Sequence, residues 1–403
     1  MTHPNPATHH SHPSHHSPAP ASRGSAGEYQ EAVMKKGWQI KRLGEVCEIV
    51  KGRKPMLKLT PASGDLPYLV AKVMRGSAEA KYASVKDKNS ITVEESETII
   101  ICDGSNSGEV FTGFRGILSS TMGKIAKKVE IDDNYLRAFL ASTFEVFNGT
   151  KTGAAIPHLD KEAMYQLQFP LPPLPEQRRI VALLDQTFAA IATAKANAEK
   201  NLQNARALFE SHLQSVFTRR GSGWVEKTVD TLSTNLDSKR IPITKSNRKA
   251  GSYPYYGASG IVDYVADYIF EGDALLVSED GANLLMRSTP IAFSVSGKYW
   301  VNNHAHILKF ENMATQRFVE FYLESLKLDE YIRGAAQPKL TQKALNSIPI
   351  PIPTTFEEQT RIVENLDSLY KETQRFSSIY ERKLAALDEL KKSLLHQAFA
   401  GEL

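Results

Sequence analysis

The sequence predicts an α+β chain: two mixed α/β domains separated by two long antiparallel coiled-coil helices with pseudo-twofold symmetry. Three observations predict it. The chain carries an internal repeat, it holds two 43-residue stretches free of Pro and Gly, and apolar residues in those stretches recur with a 3.5-residue period.

The repeat is read directly. Gly153-Ala154-Ala155-Ile156-Pro157-His158-Leu159 returns as Gly334-Ala335-Ala336-Gln337-Pro338-Lys339-Leu340, an offset of 181. Phe169-Pro170-Leu171-Pro172 returns as Ile350-Pro351-Ile352-Pro353 at the same offset. One residue further out of step, Glu176-Gln177, Arg179-Ile180-Val181, Leu184-Asp185 and Phe217 return as Glu358-Gln359, Arg361-Ile362-Val363, Leu366-Asp367 and Phe399. Trp38 opens one half and Trp224 the other. A period this long excludes a solenoid and indicates a tandem duplication of one two-part module.

Each module begins with a globular part, residues 29–175 and 221–356. Short apolar runs at Thr98–Cys102, Ala274–Val277 and Ala292–Val295 read as strands, punctuated by Asp103-Gly104, Asp280-Gly281 and Ser296-Gly297. Helices are expected over Asn134–Phe147 and Ala314–Ile332. The two globular parts barely match one another in sequence.

Long helices follow at 176–220 and 357–403, each entered through a Pro-rich approach. In the second, Thr355-Phe356-Glu357-Glu358 fits a capping box. Each 43-residue run spans roughly 65 Å if fully helical. Alternating steps of four and three predict an inter-helix seam through Ile180, Leu184, Ile191, Ala198 and Leu208 on one helix. Ile362, Leu366, Phe376, Tyr380, Leu387 and Leu390 form it on the other.

Composition narrows the class. With 41% apolar and 23% charged residues the chain is globular, and no apolar run is long enough for a bilayer helix. Two cysteines, Cys47 and Cys102, support neither a disulfide framework nor a thiolate zinc site. A reducing cytoplasm is the expected location. Residues 1–28 hold six histidines among Pro, Ser and Ala and are expected to be a disordered leader outside the fold. The net charge of +4 is too small to imply nucleic-acid binding by itself.

Local clusters say more. Lys51, Arg53, Lys54 and Lys58 crowd one loop of the first domain. Lys239, Arg240, Lys245, Arg248 and Lys249 precede Tyr253, Tyr255 and Tyr256 in the second. Such loops are either solvated charge or contacts to phosphates and base edges. Ser105 and Asn106, in the turn after one strand, read as a plain tight turn or as polar contacts, and so does the Asp280–Asn283 turn. Asn302, Asn303 and His304 are candidates for base contacts. With no cysteine nearby, a metal site at His304 and His306 is not expected. No catalytic constellation emerges: the Gly-x-x-x-x-Gly-Lys-Ser/Thr loop and the Asn/Asp-Pro-Pro-aromatic motif are both absent. Asp65 with Glu79 and Lys81 is too commonplace a grouping to indicate a nuclease.

The junction PLPPLPEQRRIVALLD, repeated as PIPIPTTFEEQTRIVENLD, resembles the DNA-specificity subunit of type I restriction–modification systems. YPYYGASGIVDY, SEDGAN and VNNHAHIL resemble a target-recognition domain of that family, and the likeness covers about residues 35–403. The resemblance implies a non-catalytic subunit whose first and second target-recognition domains each read one half of a bipartite asymmetric site in double-stranded DNA. The helices would set the spacer and dock two adenine-N6 methyltransferase subunits, with motor-nuclease restriction subunits completing the complex. No cofactor is expected on this chain; S-adenosylmethionine, ATP and Mg2+ would sit on the partners. Two alternatives stay open: a self-contained type II-like restriction or methylation enzyme fragment, and a coiled-coil adaptor without DNA readout.

Overall fold

The structure, a computed structural model, describes residues 37–145, 158–221, 223–334 and 337–403. The His-rich leader, Gly153–Pro157 and Ala335-Ala336 of the repeated motif, and the end of the helix expected to reach Phe147 lie outside the described residues. The chain forms two compact units: residues up to Ala194 together with Ala386–Leu403, and Lys195–Ala385. Their boundaries fall inside the long helices, because each unit joins one globular domain to the start of one helix and the end of the other.

In the first unit an antiparallel sheet runs in the order Cys47–Lys51, Met122–Lys127, Ile99–Ile101, Val110–Phe111. A second sheet runs Tyr82–Ser84, Asp65–Leu69, Gly116–Leu118, Thr92–Val93, its middle pair parallel. The second unit repeats this strand for strand. One sheet runs Ser233–Asn235, Ala305–Phe310, Ala274–Ser278, Ala292–Val295. The other runs Gly260–Val265, Ala250–Gly257, Lys298–Val301, Phe270–Glu271, again with a parallel middle pair. Two domains that share little sequence share one topology, since strand pairing depends on apolar alternation and turns rather than on residue identity.

The Pro-rich junction closes each module. Gln39–Arg42 pairs antiparallel with Gln168–Leu171, and Trp224–Thr228 with Pro349–Pro353. Pro349, Pro351 and Pro353 alternate along a two-stranded edge, where their missing N–H groups cost no ladder bonds. The helices follow at once, Leu174–Thr218 and Phe356–Ala400. Gln177, 1% exposed, donates through Nε2 to Pro172 O at 2.7 Å and accepts from Asp132 N at 2.9 Å. Its repeat counterpart Gln359 donates to Pro353 O at 2.8 Å and accepts from the Thr315 hydroxyl at 2.9 Å. Asp132 caps the helix Asp133–Ser142, and Thr315 lies in the first turn of Met313–Ser325. The repeated Glu-Gln dipeptide is therefore a latch between each long helix and its own domain.

Met313–Ser325 stops short of the expected Ile332 because Arg287 donates to the carbonyls of Leu323 and Leu326 and caps the helix there. In the first domain the helix ends at Ser142, where the Thr143 hydroxyl donates to Leu140 O at 2.9 Å.

Each unit contains an antiparallel helix crossing. In the first, Ile180 and Leu184 share a core with Ala398 and Phe399, and Phe399 meets Tyr135 and Phe139 edge-on at 5.3 and 5.2 Å between ring centroids. In the second, Leu213 and Phe217 share a core with Val363 and Leu366, and Phe217 meets Phe318 and Tyr322 at 5.3 and 5.1 Å. Moving up the second helix and down the first, the Phe209 ring lies 5.4 Å from Tyr370 and Arg206 pairs with Glu381 at 3.0 Å.

The seam departs from the predicted register. Ile180, Leu184, Ile191, Ala198 and Leu366 are buried, Ile362, Tyr380 and Leu387 are half-buried, but Leu208, Phe376 and Leu390 are 65%, 47% and 45% exposed. On the first helix Ala205 keeps its heptad place, but beyond it the covered stripe moves on by one residue, through Phe209, Leu213 and Phe217. Its repeated four-residue steps follow the 3.6-residue turn of a straight helix rather than a strict heptad. On the second helix Ser377 and Leu384 take the places expected of Phe376 and its heptad mate Lys383.

Two stability outcomes follow. Replacing Leu366 by Ala should cost about 2–5 kcal/mol in urea unfolding, whereas Phe376→Ala should stay within about 0.5 kcal/mol. Gln177→Ala, which strands the buried Pro172 carbonyl and the half-buried Asp132 N–H, should cost about 1–3 kcal/mol.

Candidate nucleic-acid interface

In the second domain the sheet gathers three of the predicted segments at one place. The indole of Trp300 donates to Ile241 O at 2.6 Å and ties down the Lys239–Lys249 loop. Asn302 N donates to Tyr256 O at 3.0 Å and lays the Asn302–His304 turn beside the tyrosine strand. Exposed on this surface are Lys239, Lys245, Lys249, Asn303 and His304, with Tyr253 and Tyr256 half-buried. The outer strand of the hairpin adds Ile261, Val262 and Tyr264, each about half exposed, which charge clusters alone did not indicate.

Four predicted contact residues have other duties. Tyr255 is 1% exposed, and its hydroxyl accepts from Ile243 N at 3.0 Å, so it is a strut under the basic loop. Arg248 lies 4.4 Å over the Tyr255 ring and pairs with Asp263 at 3.2 Å. Buried Asn302 shapes its turn by accepting from His304 N at 2.8 Å. Arg240 is turned inward to Glu279 at 2.6 Å and Ala305 O at 2.8 Å. Residue type marked all four as contacts; Tyr255 and Asn302 are buried, and the half-buried Arg240 and Arg248 have their guanidinium groups paired within the domain.

Asp237, Glu279 and His306, all buried, bring their ligand atoms within 4.8 Å of one another, close enough to surround a cation. The donor set does not fit one. His306 sets Nδ1 against Asp237 at 2.5 Å and Nε2 against Leu340 O at 2.8 Å, so both ring nitrogens face acceptors. Arg240 and Lys339, the latter at 3.0 Å, already pair Glu279. The cluster is an ion-pair knot joining four segments of the domain. Burial raises the Asp237 pKa, but the His306 hydrogen bond and charge, Ile307 N–H and Arg240 outweigh it and hold the carboxyl below its ordinary value. Glu279 is likewise held low, burial being outweighed by Arg240 and Lys339.

In the first domain Lys51 reaches Asp103 at 2.9 Å, which brings it beside the turn carrying Ser105 and Asn106. Ser105 is exposed, and Asn106 donates to Glu109 at 3.2 Å. Arg53 and Lys54 are exposed, while Lys58 pairs with Asp65 at 2.9 Å. His158, which the sequence reading did not single out, also bonds Asp103, at 2.8 Å; its place in the repeated motif was the available signal. Gly104 and Gly281 follow the turn aspartates with φ of +118° and +107°, a region that favours glycine. The repeated motif docks on both turns, Leu159 N donating to Cys102 O and Leu340 N to Glu279 O, each at 2.8 Å.

Two domains of one topology, each latched to a long helix and each showing a different set of basic and polar loop residues, define a tandem recognition protein. The family described as type I restriction modification DNA specificity domain matches residues 35–203 and 221–380. The type I restriction enzyme MjaVIII specificity subunit of Methanocaldococcus jannaschii is 26% identical over 408 residues, covering 91% of this chain and 93% of the relative. A solved structure from work on complex assembly and conformational transition of the type I R-M system shares the fold, with a TM-score of 0.71 at 19% identity, over 92% of this chain and 99% of that one. The HsdS subunit from Thermoanaerobacter tengcongensis gives 0.55 at 18% identity, over 92% and 98%. The chain belongs to the type I restriction–modification DNA-specificity family. Among the described residues no helix is long and apolar enough to cross a membrane.

The knot sets a pH dependence. Folded-state pKa values below the unfolded ones contribute stability that is present above about pH 4 and lost as pH falls through the lowered values. Urea unfolding at stepped pH should show that loss. Arg240→Ala should cost about 3–5 kcal/mol at neutral pH by leaving buried carboxylates short of a cation.

Proposed function

We propose that this chain is the non-catalytic reader of a type I restriction–modification complex. Each recognition domain reads one half of a bipartite asymmetric site in double-stranded DNA. The helices set the unread spacer and dock two adenine-N6 methyltransferase subunits. Motor-nuclease restriction subunits complete the complex, and S-adenosylmethionine, ATP and Mg2+ act on the partners.

The observation that carries this reading is a shared framework with unlike surfaces. Two domains of one topology carry different side chains on their loops: exposed Lys51, Arg53, Lys54 and Ser105 in one, and exposed Lys239, Lys245, Lys249, Asn303 and His304 with half-buried Tyr253 and Tyr256 in the other. Phosphate contacts position a protein on duplex DNA and base-edge contacts specify the sequence. Unlike loops on like frames therefore suit an asymmetric target.

Exchanging residues 221–335 for another recognition domain should change only one half of the methylated sequence, as read by genome-wide mapping of methylated adenine. A change in both halves would overturn independent reading. Adding about one heptad to both helices, roughly 10 Å, should widen the spacer. Lys245→Ala should weaken binding to all duplexes alike and lower the salt slope by about one.

A further inference from the structure

Both domains hold an imidazole on the aspartate of the same turn, but the two imidazoles come from different segments. His158, in the repeated motif, sets Nδ1 2.8 Å from Asp103. His304, in the turn before Ala305–Phe310, sets Nδ1 2.9 Å from Asp280. The backbone makes the aspartates equivalent. Cys102 N donates to Thr121 O and Glu279 N to His304 O, while Leu159 and Leu340 dock on the other side. In this register His158 corresponds to Lys339 and His304 to Thr121. Duplication of a position therefore does not explain the pair of imidazoles; each copy reaches the same arrangement by its own route.

The geometry of the two places also agrees. The aspartate side chains are 15% and 16% exposed and the rings 52% and 47%, so the carboxylates face inward and the rings face solvent. Among the described residues Nε2 of neither ring makes a hydrogen bond. A half-exposed lysine accompanies each: Lys51 on Asp103 at 2.9 Å, and Lys339 on Glu279 at 3.0 Å. A ring fixed by its carboxylate loses little freedom when Nε2 meets a ligand. With Nδ1–H given to the aspartate, Nε2 donates only from the doubly protonated ring; that N–H, with a half-exposed ammonium nearby, suits an anionic oxygen, whose charge in turn favours the protonated ring. Two domains with different base contacts share one such acceptor, the phosphate of the duplex backbone.

We propose that His158 with Lys51, and His304 with Lys339, are equivalent phosphate clamps that seat each domain on the DNA backbone without reading bases. The proposal rests on the DNA-reading function above and names residues for it.

The test uses the full chain assembled with its methyltransferase partners, binding a target duplex and a scrambled duplex of equal length across a salt series. His158→Asn and His304→Asn keep a donor for the aspartate but remove Nε2. Each should weaken both duplexes by the same factor, about three- to tenfold, lower the salt slope by about one, and leave the methylated sequence unchanged. His158→Gln and His304→Gln, whose amide can reach the place of Nε2, should recover part of the loss, and they decide the matter if the Asn variants fail to fold. Unchanged affinity and slope would reduce the pairs to hooks for the turn. Loss on the target alone, with altered methylation, would make them base contacts; either result overturns the proposal. A wild-type complex with no preference for the target would instead sink the DNA-reading function itself.

Discussion

A glutamine at the first turn of each long helix, Gln177 buried and Gln359 half-buried, is what the rest of each unit depends on. Proline makes the preceding segment stiff and deprives it of donors, leaving Pro172 O and Pro353 O in need of partners beside the helix start. Gln177 and Gln359 supply the donor and use their own oxygens to hold the domain's packing helix. One side chain thus fixes three things at once: the end of the Pro-rich strand, the start of the long helix, and the position of Asp133–Ser142 or Met313–Ser325. Buried polar bonds of this kind add modest net stability but are costly to break, so they determine geometry more than they determine total stability.

The frame was legible where its signals are periodic or duplicated. Two 43-residue runs without Pro or Gly became helices of 45 residues each, and the repeated Pro-rich junction marked where each is entered, though not that it pairs as a strand. Seam residues were legible only in part. A heptad reading sees spacing but not twist, and the first helix follows its natural turn after Ala205, which leaves Leu208 in solvent and half-buried Phe209 against the core. The shared topology of the two domains could not be read at all, because their matching strands are short and unlike in sequence.

The site was less legible than the frame, for a physical reason. Basic and aromatic residues collect in loops both when they meet a ligand and when they hold the loop in shape. Arg240, Arg248, Tyr255 and Asn302 belong to the second kind, and Lys239, Lys245, Lys249 and Asn303 to the exposed set. Sequence cannot separate the two, since the difference lies in which carboxylate or carbonyl the fold brings alongside. Asp263 is 15 residues from Arg248, and Glu279 is 39 from Arg240.

This division between anchored and exposed residues explains how one scaffold can carry two unlike loop surfaces. Exposed loop side chains away from caps and cores change stability by only about 0.5 kcal/mol, so the loop surface can diverge almost freely. The latch, the closing strands and the ion-pair knot cannot, because each loses buried hydrogen bonds or strands a buried charge when altered. Duplication followed by such unequal constraint leaves the pattern seen here: junctions that share Glu-Gln, Arg-Ile-Val and Leu-Asp and a common strand order, with little in common between the loops. The Asp–imidazole pairs fit neither class, being exposed yet retained in place by different residues. That combination is expected where both copies must meet the same chemical partner while everything around it is free to change.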